Sequence, residues 1–534
     1  MATQRRPVAF SRFGGLRLDL PPDEVGPEDA IALQDVDWAD NNPGLLRPRA
    51  GATKLNTIEP EGLYSAVTRH SDQRLIALRN PSFSSPKLLC ALSTSGGSEV
   101  KTVELPAESG DRIWFVQYGT PTAEYTYAYS EIMPPRRFDG TNFSTPTATV
   151  DGVAGKALPL IKYAAVWGDG GNRLVAATPG ASWKGGADGP GGAHTSESHV
   201  WFSDPGNAES WHTVAPEANY VQVSPGDGER ITGICEWNGQ IFVAKQTKLY
   251  VFYSVGTDSE GGPIFNYRTI HIGAVMQDPL NVADLVNPHN VPVMVAGDEG
   301  VYLLTSAGVM VTNGGRPMLI SQALSALTTR SSIYGPMNAY LGGNATWSKF
   351  KGLYYFNRRL YVLGTKWINP SRILVYDLEH DAWLVWRMAM NSIVAWEKGT
   401  VESGLYFTGA NTPFVYAYDE GAATDPSAAI EPFWQSGFYN LGSDDEKSFV
   451  ETKLWGKGQL TYAGYGDLSE TASFSEAVDL GNALLLPFTE ERRNYADQTA
   501  TLFSHRITLG ENARIGRIAR YLRETRTSGT KTKS

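Results

Sequence analysis

Two stretches of this chain carry one formula: a β-branched and aromatic run, an aspartate, a turn, then a tryptophan. In SHVWFSDPGNAESWH, Val200, Trp201 and Phe202 have strand character, Asp204-Pro205-Gly206-Asn207 is turn chemistry, and Trp211 opens the return. In RILVYDLEHDAWLVW, Ile373 to Tyr376 form the run, Asp377 follows, and Trp383 opens the return. Each reads as a hairpin with a buried tryptophan beside its aspartate turn. A second formula interleaves with the first: a turn ending in Gly, a short apolar run, a polar tip and another run. It occurs as NGQIFVAKQTKLYVF from Asn238, EGVYLLTSAGVMV from Glu299, KGLYYFNRRLYVL from Lys351 and SGLYFTGANTPFVYAY from Ser403. Strand pairs recurring every ~40 to 60 residues suit the blades of a β-propeller better than the closer-spaced strands of a sandwich. The expectation is an all-β chain whose body is a β-propeller of about six or seven blades.

Composition supports that class. Length alone would suggest about three domains, but a closed propeller absorbs most of 534 residues in one body. Aromatic residues make up 11% of the chain and Gly and Pro number 55 and 31, so sheet formers and turn formers are abundant together. A net charge of −10 argues against a general nucleic-acid binder, because phosphate contacts need clustered Lys and Arg. Charge is unevenly placed, however: Ala513 to Ser534 carries seven basic residues against one acid, Glu524. Cys90 and Cys235 sit in apolar runs and read as small core residues, too few for a disulfide framework or a zinc site. No apolar run of secretory or membrane-spanning type occurs, so the expectation is a soluble product made in the cytoplasm, without membrane insertion.

Three regions follow along the chain. Residues 1–62 alternate short apolar stretches with Pro-Pro and Asn-Asn-Pro-Gly, reading as an extended arm that needs a partner surface to become ordered. Only PEDAIALQDVDW, with Pro27 at a first helical position, offers a helical turn there. Residues 63–430 carry the strands of the propeller, including Tyr125, Tyr127 and Tyr129 on one face, read as packing between blades. Within them Gly168 to Gly192 makes a long Gly-rich loop, read as a subunit or ligand contact, and QALSALTTRSSIYGPMNAY from Gln322 makes a short helix and loop. Residues 431–534 read as a small β module with a basic tail, in which Ile515, Ile518 and Leu522 form the apolar stripe of a helix.

The order Gly14-Gly15, Pro21-Pro22, Glu28 to Asp37, then Gly44-Leu45-Leu46-Arg47-Pro48 resembles the opening of bacteriophage tail nozzle proteins and related propeller-containing tail (hub) proteins. The stretch FWQSGFYNLGSDDEKSFVETKLWGKGQLTYAGYGD resembles the region after their propeller. The resemblance implies a structural virion protein of a tailed bacteriophage, a ring-forming nozzle or hub component that helps build the tail channel for DNA delivery. Its implied partners are further copies of itself in a ring, a hexamer among the sizes to consider, and neighbouring tail or adaptor proteins. Subunit docking would fall to Gly14, Gly15, Pro21, Pro22, Leu45, Leu46, Arg47 and Pro48. Arg514, Arg517, Arg520, Arg523 and Arg526 would make an electrostatic contact with passing DNA or an acidic neighbour.

Catalytic and cofactor signatures are not found. HExxH, Gly-x-Ser-x-Gly, phosphate-loop and calcium-loop patterns do not occur, the eight His are scattered, and no cofactor is expected. Ser203-Asp204-Pro205-Gly206 with Trp211 superficially resembles the Asp-box of sialidases, but the spacing differs and no Arg, Tyr and Glu set is isolated by spacing. The expectation is a non-enzymatic protein. The rival reading is a receptor- or carbohydrate-binding propeller at the tail tip, with a glycoside hydrolase behind it.

Overall fold

In the computed structural model the run from Ile231 to His271 folds as four antiparallel strands in chain order: Ile231–Trp237, Gln240–Lys245, Lys248–Thr257 and Pro263–His271. The first reversal is Asn238-Gly239, with φ of 49° and 74°, the two left-handed residues a two-residue hairpin turn requires. The structure describes residues 6–10, 12–39, 45–56, 62–71, 74–81, 86–93, 97–105, 113–120, 122–130, 133–158, 160–177, 198–212, 219–257, 263–276, 292–329, 337, 341, 346–347, 350–364, 372–396, 404–409, 412–419, 422, 424–426, 429–439, 446–481 and 489–524.

Among the described residues seven four-stranded sheets, this one included, follow in chain order, the sheet pattern of a β-propeller. Their innermost strands are Leu63–Arg69, Trp114–Gly119, Tyr163–Trp167, Ile231–Trp237, Met294–Gly297, Phe350–Phe356 and Met390–Trp396. The seventh packs against the first, which closes the ring. Three inner-strand tryptophans tie each blade to the next by indole N–H bonds: Trp114 to the Ala164 carbonyl, Trp167 to Gly239 and Trp237 to Gly297, each at 2.8 Å. A cavity of about 530 Å³ lies among the inner strands, lined by apolar side chains such as Val67, Phe115, Phe356 and Ile393.

The last blade is completed from the other end of the chain. Gly51–Lys54 pairs with Val415–Asp419, the third strand of blade seven, from Gly51↔Asp419 to Lys54↔Tyr416. The remaining N-terminal strands join the C-terminal ones in two sheets packed face to face. One runs Val36–Trp38, Leu46–Pro48, Arg514–Glu524, Lys447–Lys457, Thr489–Ala500, with Arg6–Phe10 also on Arg514–Glu524. The other runs Ala30–Gln34, Phe433–Ser436, Phe503–Leu509, Gln459–Gly466, Phe474–Asp479. Leu454, Ile515 and Ile518 from the first sheet and Trp434, Leu460, Tyr462 and Ile507 from the second share a core that continues without a break into blades four to seven.

Several sequence expectations change here. The described strands of residues 1–62 pair within this chain: one joins the last propeller sheet and others join strands of 431–534 in the sandwich. PEDAIALQDVDW contributes two strands, Ala30–Gln34 and Val36–Trp38. Every residue of both strands is buried, whereas a surface helix buries only one stripe. Asp35 between them has φ 52°, a value a right-handed helix does not admit. The C-terminal stripe is likewise a strand. Trp455 pairs with Arg517 but Gly456 with Ile515, leaving Gly516 as a bulge. That bulge brings Ile515 and Ile518 to the same buried face at a spacing that imitates a helix.

The two strand-Asp-turn-Trp units also separate. Arg372–Asp377 and Ala382–Arg387 form a true hairpin with Tyr376 opposite Trp383. After His199–Phe202 the partner strand is Tyr220–Gln222, and Ser210–Trp211 instead runs parallel to Thr147–Val150 in a separate three-stranded sheet. Both tryptophans are buried. The helical reading of the segment from Gln322 holds for a 3-10 turn at Gln322–Leu324 and one helical turn at Ala326–Thr329. Most of that segment beyond residue 329, and residues 178–192 of the Gly-rich loop, lie outside the described residues.

Candidate functional site

The seam between propeller and sandwich holds the densest buried charge in the described chain. Asp35 turns the backbone between its two strands and places its carboxylate inside the protein. One oxygen accepts from Arg49 Nε at 2.8 Å and the Arg387 N–H at 2.6 Å, the other from the Glu431 N–H at 3.0 Å. Arg49, with its side chain wholly buried, also reaches Asp425 at 2.9 Å and donates to the carbonyls of Ala50 and Arg387. Four chain segments therefore meet on one ion cluster. A few ångströms of sheet away, Arg359 grips Asp37 through two nitrogens, 2.7 and 3.0 Å, and Asp377 at 3.0 Å. Burial, the largest single influence, disfavours the Arg359 charge, but Asp37 together with Tyr361 and Tyr418 raises its pKa above the ordinary value. Asp377 caps its own turn by accepting the N–H groups of Glu379 and His380, and the His380 ring stacks on Trp38 at 4.6 Å.

The residues expected to dock a neighbour are engaged within this chain. Gly14 and Gly15 thread between Asp29 and the outer strand of blade six. A Cβ at Gly14 would lie 2.2 Å from Asp29 Oδ1, and one at Gly15 would lie 2.7 Å from the Trp383 nitrogen. Leu16 donates to the Trp383 carbonyl, and Trp434 donates to that of Gly14. Pro21 accepts from Glu24 and Val25 in a turn, and Pro22 accepts from Phe438. Leu45 accepts from Ala39, and Leu46 is core. Pro48 pairs with Val36 and Arg47 with Asp37 across the adjacent strands.

The C-terminal arginines are distributed along one strand. Arg517 is exposed and lies over the Trp455 ring at 4.9 Å. Arg520 and Arg523 pair with Thr452 and Ser448, and Arg526 lies outside the described residues. Arg514 falls at the seam, beside Arg47, in a notch of about 190 Å³ that Lys457 and Glu511 also line. Members of the two sequence-predicted sets, Arg47 with Pro48 and Arg514, thus meet at one place.

Two constellations that sequence spacing concealed are structural. Tyr127 donates to Glu209 Oε1 at 2.8 Å and Arg137 to the same oxygen at 2.7 Å, 82 and 72 residues apart in the chain. Tyr127 is buried and stacked on Tyr129 at 5.5 Å; burial first, then Glu209, raises its pKa, so its phenol stays a protonated donor. Ser436 Oγ lies 3.0 Å from His505 Nδ1, but both are sealed inside the sandwich. Among the described residues no group of three or more His, Cys, Asp or Glu could hold a metal ion, and no helix is long and apolar enough to cross a membrane.

No family model and no curated protein matches the chain. Among solved structures it is similar to a streptogramin B lyase, at 9% identity and a TM-score of 0.35, over 68% of this chain and 96% of that one. It is also similar to BBS1N in its complex with ARL6DN, at 10% identity and a TM-score of 0.36, over 70% of this chain and 99% of that one. The propeller assignment rests on the sheet order described above.

Proposed function

We propose that this protein is a structural component of a tailed-bacteriophage virion, a ring-forming nozzle or hub subunit that helps build the tail channel through which DNA is delivered. The single observation that supports a part under tension is the interweaving of the N-terminal and C-terminal segments. The N-terminal segment closes the propeller, lines the seam and supplies strands to the C-terminal sandwich, all pinned by the Arg49 and Arg359 clusters. Pulling either end would load whole ladders of hydrogen bonds together, as a part under ejection pressure needs. The acidic charge of the body would keep a passing DNA from adhering. Copies join in a ring through surfaces other than Gly14, Gly15 and Leu46, which are already enclosed, and neighbouring tail or adaptor proteins complete the contacts. Negative-stain micrographs and mass photometry of the purified protein test this: closed rings of uniform copy number are expected, and a strict monomer at micromolar concentration would overturn it.

A second reading is favoured by one feature, a pocket of about 410 Å³ at the propeller mouth where Tyr125 stands with Arg69, Gln117 and Glu124. An aromatic ring among polar groups suits a sugar. Glycan-array binding that is lost in Tyr125→Ala would select a receptor-binding propeller instead.

A further inference from the structure

The axis of the propeller is lined mainly by carbon. Blades one, two, five, six and seven put Val67, Phe115, Val295, Phe356 and Ile393 around the cavity of about 530 Å³. Three further lining residues carry polar atoms, and each spends them on the wall. The Trp114 indole donates to the Ala164 carbonyl at 2.8 Å, the Tyr354 hydroxyl accepts the Ala395 N–H at 2.5 Å, and Ser392 Oγ accepts that of Val67 at 3.3 Å. Phe115, Val295 and Phe356 are only half-buried, so apolar surface stays open to the cavity. A water molecule enclosed beside it finds few partners, whereas a buried water ordinarily makes about three hydrogen bonds. The polar groups that remain are Thr68, Arg69 and Gln117, all from blades one and two. Gln117 Nε2 donates to the Arg69 carbonyl and ties those two inner strands together. Arg69 and Gln117 also line the mouth pocket beside Tyr125. The cavity therefore has a polar side where it meets the mouth pocket, and carbon from blades five to seven on the other.

We propose that the axial cavity binds a single-chain amphiphile, its alkyl chain laid against blades five to seven and its neutral, hydroxylated head at Thr68, Arg69 and Gln117. The volume falls in the range of small-molecule sites, and the division into an apolar wall and a few polar groups is the one such sites use. Hydroxyls both donate and accept. The Gln117 amide, the Thr68 hydroxyl and the guanidinium N–H groups meet both needs, and no charge has to be free for this. The chain supplies the binding energy, because each methylene that leaves water for the apolar wall adds to affinity. The site requires neither the ring nor the saccharide reading at Tyr125.

Hexyl, heptyl and octyl β-D-glucosides, titrated calorimetrically into the full chain below their micelle concentrations with glucose as the control, test it. Affinity is expected to rise about three- to fourfold per added methylene. Val295→Asp, which sets a charge against the chain at a half-buried position, should weaken octyl glucoside at least about tenfold. A glucoside with a diazirine at the end of its chain keeps the test open if that variant does not fold. Irradiated with the wild type, it should label Met294–Gly297, Phe350–Phe356 or Met390–Trp396, read by peptide mass spectrometry. An affinity independent of chain length, or label confined to other strands, overturns the proposal. Glucose bound as tightly as octyl glucoside, and lost in Tyr125→Ala, also overturns it while leaving the saccharide reading in place. A chain-dependent affinity that Tyr125→Ala does not change supports the axial site alone.

Discussion

Asp35 shows how much one side chain organises. It takes a left-handed backbone conformation, ends two buried strands, and spends both oxygens on Arg49 and on backbone N–H groups of distant segments. Removing one partner of a buried ion pair leaves the other desolvated and under-compensated, a loss of about 3 to 5 kcal/mol. Asp35→Ala is therefore expected to destabilise by that amount in denaturant titration, while Asp35→Asn, which keeps the shape and an acceptor oxygen, should lose less; equal losses would mean that the charge alone matters there. Asp139 gives the pH counterpart. Its Oδ1 accepts the N–H groups of Asn142 at 2.8 Å and Thr141 at 2.9 Å, and the Asn142 bond chiefly lowers its pKa, with burial opposing. A depressed carboxyl contributes stability that is present above its unfolded pKa of ~3.9 and is lost as pH falls through the folded value. The difference in Tm between wild type and Asp139→Ala should thus be constant above about pH 5 and shrink on further acidification. Melting curves at pH 6, 4 and 3 would reveal it, and a gap that widens towards acid would refute it.

At the scale of elements, what was legible in the sequence was what local chemistry controls. The runs from Asn238, Glu299, Lys351 and Ser403 fold as adjacent antiparallel strands because their tips carry turn residues and their runs are apolar enough for burial on both faces. The inner-strand tryptophans Trp167 and Trp237 were readable in principle, each standing just before a Gly-containing turn in WGDGGN and WNG. What failed was long-range pairing. Nothing local tells Gly51 that its partner is Asp419, or Ser210 that it will leave the preceding strand for Thr149. The bulge at Gly516 made a strand resemble a helix, because one unpaired residue turns period two into an apparent period of three. The notch lined by Arg47, Lys457 and Arg514 was hidden for the same reason, since these residues come from three strands brought together by the register. One prediction belongs here. Deleting residues 1–56 removes the closing strand of blade seven and four strands of the sandwich, so the product is expected to be insoluble or molten rather than a free propeller. A soluble truncated chain with a cooperative melt would show that the ring closes without its N-terminal strand.

For the molecule as a whole the question is whether propeller and sandwich are two folding units or one. A propeller closed within its own sequence and joined to a C-terminal domain by a linker would unfold in two steps, because each core could survive the loss of the other. Here a single buried cluster runs from Phe242 in blade four through Trp383 and Trp386 in blade six to Leu454 and Ile518 in the sandwich, with Phe13, Leu16 and Trp38 of the N-terminal segment packed between. Trp386 donates to the Val36 carbonyl, so an indole bond also crosses the seam, and Trp38 donates to the Phe13 carbonyl within the N-terminal segment. Melting the sandwich strips the N-terminal strands of partners, which releases Gly51–Lys54 and reopens blade seven. Melting the propeller removes the wall on which Ala30–Trp38 lies. Either loss propagates to the other body. Scanning calorimetry should accordingly give one transition in which calorimetric and van't Hoff enthalpies agree per assembled unit, and Asp35→Ala should lower it without splitting it. Two resolved peaks in the wild type, or a second peak appearing only in Asp35→Ala, would show that the seam is a contact between independent domains and that the weave of the termini does not bind them into one.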